Sequence, residues 1–137
     1  MTELDPATNG WKPHDSPGFF GVVGPLWTRK DAQGWAYALL AEERHHNRAG
    51  IVHGGMLCTL IDQALSAIAW EANERKPCIT VALDVQFLAP VRAGDFIVAR
   101  GEVVRQSSSL AFVRGTLTVE GTTVLSATSI LRVKASR

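Results

Sequence analysis

The stretch His53 to Trp70, HGGMLCTLIDQALSAIAW, constrains the rest of this chain more than any other. It enters through a Gly pair, and Met56, Leu57, Leu60, Ile61, Ala64, Leu65, Ala67, Ile68 and Ala69 leave it almost no polar face. A helix that is apolar nearly all round has to be wrapped by other structure. Asp62 is the only charged residue between Gly54 and Trp70. A lone buried carboxylate is costly unless it finds partners or takes up a proton, so its place in so dry a helix requires a reason.

The rest of the chain supplies the wrapping. Glu71 to Lys76 is a solvated run ended by Pro77, which stops the helix. Four strand patterns follow with no further helical period: Ile79 to Leu88, Phe96 to Arg105, Leu110 to Val119, and Thr123 to Val133. Their joins, APVRAGD, QSSS and Glu120-Gly121, are of turn type. Ile97, Ala99, Val103, Leu110 and Phe112 contrast with Arg100, Glu102, Arg114 and Thr116, which reads as a sheet with one wet face and one face on the helix. Upstream, Leu26 to Thr28 and Trp35 to Leu39 flank turn residues Asp31 to Gly34 as a hairpin. Phe19 to Val23 is a helical turn or a bend, and the polar stretch AEERHHNRAG, Ala41 to Gly50, is a loop feeding the helix. Residues 1 to 18, rich in Pro, Gly, Asp and Asn, read as a flexible arm that Trp11 can pin, leaving residues 19 to 137 as one domain. One face of one sheet cannot cover an all-round apolar helix, so a second subunit is expected on its far side.

At 137 residues and 46% hydrophobic, the chain can build its core without disulfides or metal. A net charge of +1 with interspersed signs offers no basic stripe for nucleic acid. Cys58 and Cys78 lie outside any CxxC or Cys/His ligand spacing and read as reduced core residues. Acids and prolines stand at the N-terminus where an export signal needs a basic start and an apolar run, so a cytoplasmic location is expected. The apolar helix is shorter than the ~20 residues of a membrane span and carries Asp62 at its middle, which counts against a membrane. His45 and His46 invite a metal reading with His53 and Asp62. Adjacent loop histidines point apart, however, and no HxxxH spacing exists, so no metal is expected.

Asn47, then His53-Gly54-Gly55, then Asp62, followed by Thr80 and the strand VALDVQFLAPVRAGD, resemble the hotdog-fold acyl-CoA thioesterases, in the branch that includes phenylacetyl-CoA thioesterases. The resemblance runs from about Asn47 to the C-terminus. It implies an α+β hotdog fold, a long curved antiparallel sheet wrapped around a central helix, with two subunits joined sheet edge to sheet edge and dimers pairing into tetramers. By matching position it implies that Asn47 orients the attacking water or the thioester and that His53 shapes the loop before the helix. Gly54 then matches the amide donor to the carbonyl oxygen, Asp62 the nucleophile or general base, and Thr80 a hydroxyl beside it, where serine is also common. No cofactor is implied.

The residue types suit that chemistry. Thioester hydrolysis needs an activated water or nucleophile, a donor for the developing oxyanion, and room for the thiolate to leave. A helix N-terminus offers unpaired amides and a positive dipole end, and Gly54-Gly55 lets a substrate approach that backbone closely. Nine residues, from His53 to Asp62, span roughly 13 Å of helix, whereas attacking group and oxyanion donor must meet at one carbon within about 3 to 3.5 Å. Asp62 therefore cannot serve Gly54 of its own chain. An antiparallel second copy is expected to bring them together, giving two sites per dimer.

For the ligand, coenzyme A phosphates need cations. Arg92, Arg105 and Arg114 with Ser107, Ser108 and Ser109 lie in or beside predicted strand joins, where a plain solvated strand end is the competing reading. Met56, Leu60 and Leu83 are candidates for the acyl pocket. Bland readings also stand beside the catalytic ones: Asp62 as a backbone cap, His53 as a hydrogen-bonded loop residue, the Gly pair as a packing device, and Thr80 as sheet chemistry. The expectation is a homo-oligomeric thioesterase that hydrolyses an acyl-CoA to free acid and coenzyme A without metal or cofactor. The alternatives are a non-catalytic acyl-CoA-binding hotdog module, and a hydratase or dehydratase of acyl thioesters, which needs a catalytic His and an acid in one pocket.

Overall fold

The computed structural model describes residues 5–134. In chain order the elements are β1 (Lys12–His14), α1 (Phe19–Val23), β2 (Leu26–Asp31), β3 (Gly34–Leu40), α2 (Gly54–Ala72), β4 (Cys78–Phe87), β5 (Phe96–Gln106), β6 (Leu110–Val119) and β7 (Thr122–Val133), with short 3₁₀ turns at Pro6–Asn9 and Glu43–His45. The strands form one antiparallel sheet in the order β1-β2-β3-β5-β6-β7-β4, and α2 lies across it. Among the described residues no helix is long and apolar enough to cross a membrane.

The helix runs two residues past the predicted end. Its inner side, Leu57, Leu60, Ile61, Ala64, Leu65 and Ala69, is buried against Leu39, Ile97, Leu117, Leu125 and Leu131 of the sheet. Each such large side chain taken from water contributes about 1.5–3 kcal/mol. Gly101 and Gly115 sit opposite each other on β5 and β6, and a Cβ on either would lie 2.7 Å from Leu65 Cδ2. The same Cβ atoms would lie 2.6 and 2.5 Å from the Arg114 and Arg100 carbonyl oxygens, so the two glycines accommodate both the close strand pairing and the seat of Leu65 on the middle of the sheet. The opposite side of α2 carries Gly55, Thr59, Asp62, Gln63, Ser66 and Trp70, each half-buried or exposed, so the uncovered face is largely polar up to an exposed Trp70 near its end.

Two readings of the sequence need correction. The core face of β6 is Ala111, Val113 and Leu117, whereas Leu110 and Phe112 share the outer face with Arg114 and Thr116. All four of those have the same parity, and a strand alternates at period two. Cys58 and Cys78 are free thiols, yet both are half-buried rather than deep in the core.

The N-terminal segment carries more structure than its Pro- and Gly-rich composition suggests. Trp11, 5% exposed, is the pin: it packs edge-on against Phe96 with ring centroids 5.1 Å apart, under the Arg29 guanidinium at 4.5 Å. With Ala36 and Ala38 it forms a second small core, and β1 pairs with β2 beside it. The first four residues of the expected arm lie outside the described residues.

Candidate active site: two half-sites along the central helix

A cleft of about 400 Å³ opens at the N-terminus of α2, lined by Asn47, Ile51, Val52, Gly54 and Leu57 on one side and by the run Phe87 to Val91 on the other. Its polar groups are set by local bonding. His53 caps the helix, its Nδ1 accepting the Gly55 N–H at 2.8 Å, while its carbonyl accepts the N–H groups of Met56 and Leu57. That leaves the Gly54 N–H, at the positive end of the helix dipole, with no acceptor among the described residues. A Cβ on Gly54 would lie 3.2 Å from the Phe87 ring, so the missing side chain keeps this amide approachable.

Asn47 closes its own turn. Its Oδ1 accepts the N–H groups of Ala49 at 2.9 Å and Ile51 at 3.4 Å, and its backbone N–H donates to Ile51 O at 2.7 Å. Oxygen is committed to the turn, so the carboxamide NH₂ is left without an acceptor among the described residues, and the residue lines the cleft. Gly54 and Asn47 therefore present two unsatisfied donors to one apolar cleft.

Asp62 is elsewhere. It is half-buried on α2, two turns from Gly54, and its Oδ1 accepts the Thr80 hydroxyl at 2.7 Å. The Thr80 and Ser66 hydroxyl oxygens are 3.4 Å apart. A bulge between Thr80 and Ala82 shifts the register of β4 against β7 beside this pair; bulges of this kind re-aim side chains next to sites. Burial pushes the Cys58 thiol up, and the Asp62 charge one turn away pushes it further. Thr80 and Asp62 are thus brought together, and Asn47 and Gly54 are brought together, but one protomer does not unite the two pairs.

The remaining predicted residues are dispersed. Gly55, Met56 and His53 line a second cleft of about 390 Å³ with Phe19, Val23, Arg44, His45, His46 and Thr59, on the other flank of the helix N-terminus. Leu60 is completely buried core and lines neither cleft. Arg92 is exposed next to Val91 at the rim of the first cleft. Arg105, Ser107 and Ser108 are exposed around the β5–β6 turn, whose Gln106 Oε1 accepts from Asn73 Nδ2 at 3.1 Å. Asn73 is the C-cap of the 19-residue α2, so that turn lies at the far end of the helix, about 28 Å from Gly54 at 1.5 Å per residue. Ser66, Phe87 and Leu88 went unnoticed in the sequence. For the last two the available signal was a pair of large apolar side chains closing a strand just before Ala89-Pro90.

Four similarities bear on this arrangement. Residues 49–126, more than half of the chain, match the model of the thioesterase superfamily. Human acyl-coenzyme A thioesterase 13 is 36% identical over 82 residues, which cover 59% of this chain and 58% of that protein. Zebrafish thioesterase superfamily member 2 superposes with a TM-score of 0.78 at 27% identity, covering 88% of this chain and 89% of its own. An asparagine-to-aspartate mutant of a phenylacetic acid degradation protein from Thermus thermophilus superposes with a TM-score of 0.73 at 26% identity, covering 85% of this chain and 98% of its own. One helix on a seven-stranded antiparallel sheet is thus a hotdog-like fold, and the chain belongs to the thioesterase superfamily.

Proposed function

We propose that this protein hydrolyses acyl-CoA thioesters to the free acid and coenzyme A, at a site completed by two subunits. One observation carries the reading. The two unsatisfied donors and the hydroxyl-bound carboxylate both border β4, yet eight residues of helix, about 12 Å, separate Gly54 from Asp62 in one chain. β4 is one of the two edge strands of the sheet, with Ile79, Val81, Phe87 and Leu88 between 48% and 58% exposed along and just beyond it. Its C-terminal end borders the Gly54 cleft, and its N-terminal end carries Thr80. Antiparallel pairing of two copies about the middle of this strand lays the Phe87 end of one beside the Thr80 end of the other. Asp62 of the partner subunit then comes to the cleft.

In that site the thioester carbonyl accepts from Gly54 N–H and Asn47 Nδ2. The partner's Asp62, held by the partner's Thr80, takes a proton from water as the water oxygen bonds to the carbonyl carbon. Negative charge moves onto the carbonyl oxygen, where the two donors stabilise it. Collapse of the tetrahedral species breaks the C–S bond, and the proton passes to the departing sulfur. His53 does not carry that proton in this scheme, because Nδ1 is occupied as the helix cap. The name of the human relative and the apolar lining of the cleft support an acyl-CoA substrate.

Asp62→Asn tests the reading. Turnover of a panel of acyl-CoA esters is expected to fall about 10³-fold with coenzyme A binding retained. A non-catalytic acyl-CoA-binding module has no turnover to lose, and undiminished hydrolysis by Asp62→Asn refutes the assignment of the base.

A further inference from the structure

We propose that His46 is a positioning residue for this reaction: its neutral imidazole staples the loop that carries Asn47 to the opposite wall of the cleft. His46 Nε2 lies 2.9 Å from the backbone N of Ala93. A backbone N–H only donates, so Nε2 is the acceptor and the ring proton is on Nδ1. A second bond ties the same two segments, Val52 N–H to Val91 O at 2.7 Å, and His46 and Val52 face each other as an isolated antiparallel bridge. The residues from Asn47 to Ile51 form a closed turn hanging from this platform, since among the described residues Asn47 bonds only within it. Without the imidazole bond, the Asn47 end of the turn is tied to the Val91 wall only indirectly, through its bonds to the Val52 end. A displacement of about 1 Å at a substrate-orienting group is enough to cost up to 10²-fold in rate.

The bond also sets a direction with pH. A proton on Nε2 turns the acceptor into a donor, so the staple holds in the neutral form and is lost on acidification. The charged and titratable groups around His46 are Glu42, Glu43, Arg44 and His45 in its own turn, Arg48 in the turn that carries Asn47, His53 at the cap of α2, and Arg92 and Asp95 in the loop it grips; the α1 residues that share its cleft, Phe19 and Val23, are apolar. His53 also accepts an N–H, so activity alone cannot separate the two rings.

The inference rests on the thioesterase reading, and the experiment separates the two. His46→Phe keeps a ring without an acceptor, and His46→Gln keeps an acceptor on a flexible chain. Kinetics on the best-hydrolysed acyl-CoA are measured together with amide exchange at Ala93 over a series of decreasing pH. His46→Phe is expected to lower kcat roughly ten- to hundredfold with KM little changed, and His46→Gln to restore most of the loss. Ala93 protection is expected to fade with acid in the wild type, to be absent in His46→Phe, and to be independent of pH in His46→Gln. Wild-type kcat in His46→Phe, or Ala93 protection unchanged in that variant, overturns the inference. Equal losses in the Phe and Gln variants overturn it too. If His46→Phe does not fold, wild type and His46→Gln still decide it through the pH dependence of Ala93. A wild type that hydrolyses no acyl-CoA sinks the thioesterase reading by itself, and the Ala93 exchange still decides the staple.

Discussion

The two edges of the sheet are built differently. β1, at one edge, is three residues long, contains Lys12 and Pro13, and is fastened by the buried Trp11 beside it. β4, at the other, is ten residues long without proline or lysine and carries exposed Ile79 and Val81. A short edge with proline and lysine is blunted against pairing, whereas a long bare one invites it. Both half-sites border the bare edge. The contrast teaches that β4 is the edge left open to pairing, and that chemistry and assembly share one surface in the proposed scheme.

Substitutions at the two edges sharpen this contrast, in order of their expected effect on turnover. Val81→Lys places a charge on the bare edge. It is expected to yield folded monomer by sedimentation and circular dichroism, with activity down at least about 100-fold because each site loses its partner carboxylate. A fully active monomer would break the comparison. Thr80→Val removes the hydroxyl that holds Asp62 and leaves the edge intact; roughly a tenfold fall in kcat with the dimer preserved is expected from the loss of one hydrogen bond to a charged group. Trp11→Ala addresses the blunted edge, where loss of a buried tryptophan is expected to cost about 3 kcal/mol in chemical denaturation and to leave kcat and oligomeric state unchanged. A kinetic defect there would mean that the two edges are not functionally separate.

Much of this was legible before the coordinates. The apolar run from Met56 onwards and the Gly pair marked the helix, and Pro77 marked the region of its end. The four strand patterns after the helix fell close to β4, β5, β6 and β7. What stayed hidden depended on distance along the chain or on size. Trp11 is pinned by Phe96 and Arg29, partners that local composition cannot supply. On β6 the larger side chains, Leu110 and Phe112, drew the reading to the wrong face. The core face there is partly small, Ala111 and Gly115, because the helix comes close, and hydropathy rewards bulk rather than room. Arg105, Ser107 and Ser108 were placed correctly in a turn, but only the topology shows that the turn lies by Asn73, at the end of α2 far from the Gly54 cleft of the same chain. The 13 Å argument needed only helix geometry, which is why the split between Gly54 and Asp62 could be anticipated from spacing.

The central claim is that each site takes its donors from one subunit and its carboxylate from the other. Inactive Asp62→Ala and Asn47→Ala proteins, unfolded together and refolded as a one-to-one mixture, test it directly. If the claim is right, random pairing makes half of the dimers mixed, each with one intact site of two, and about a quarter of wild-type activity returns. Mixed dimers shown to form by mass spectrometry, yet no more active than the two parents, would contradict it.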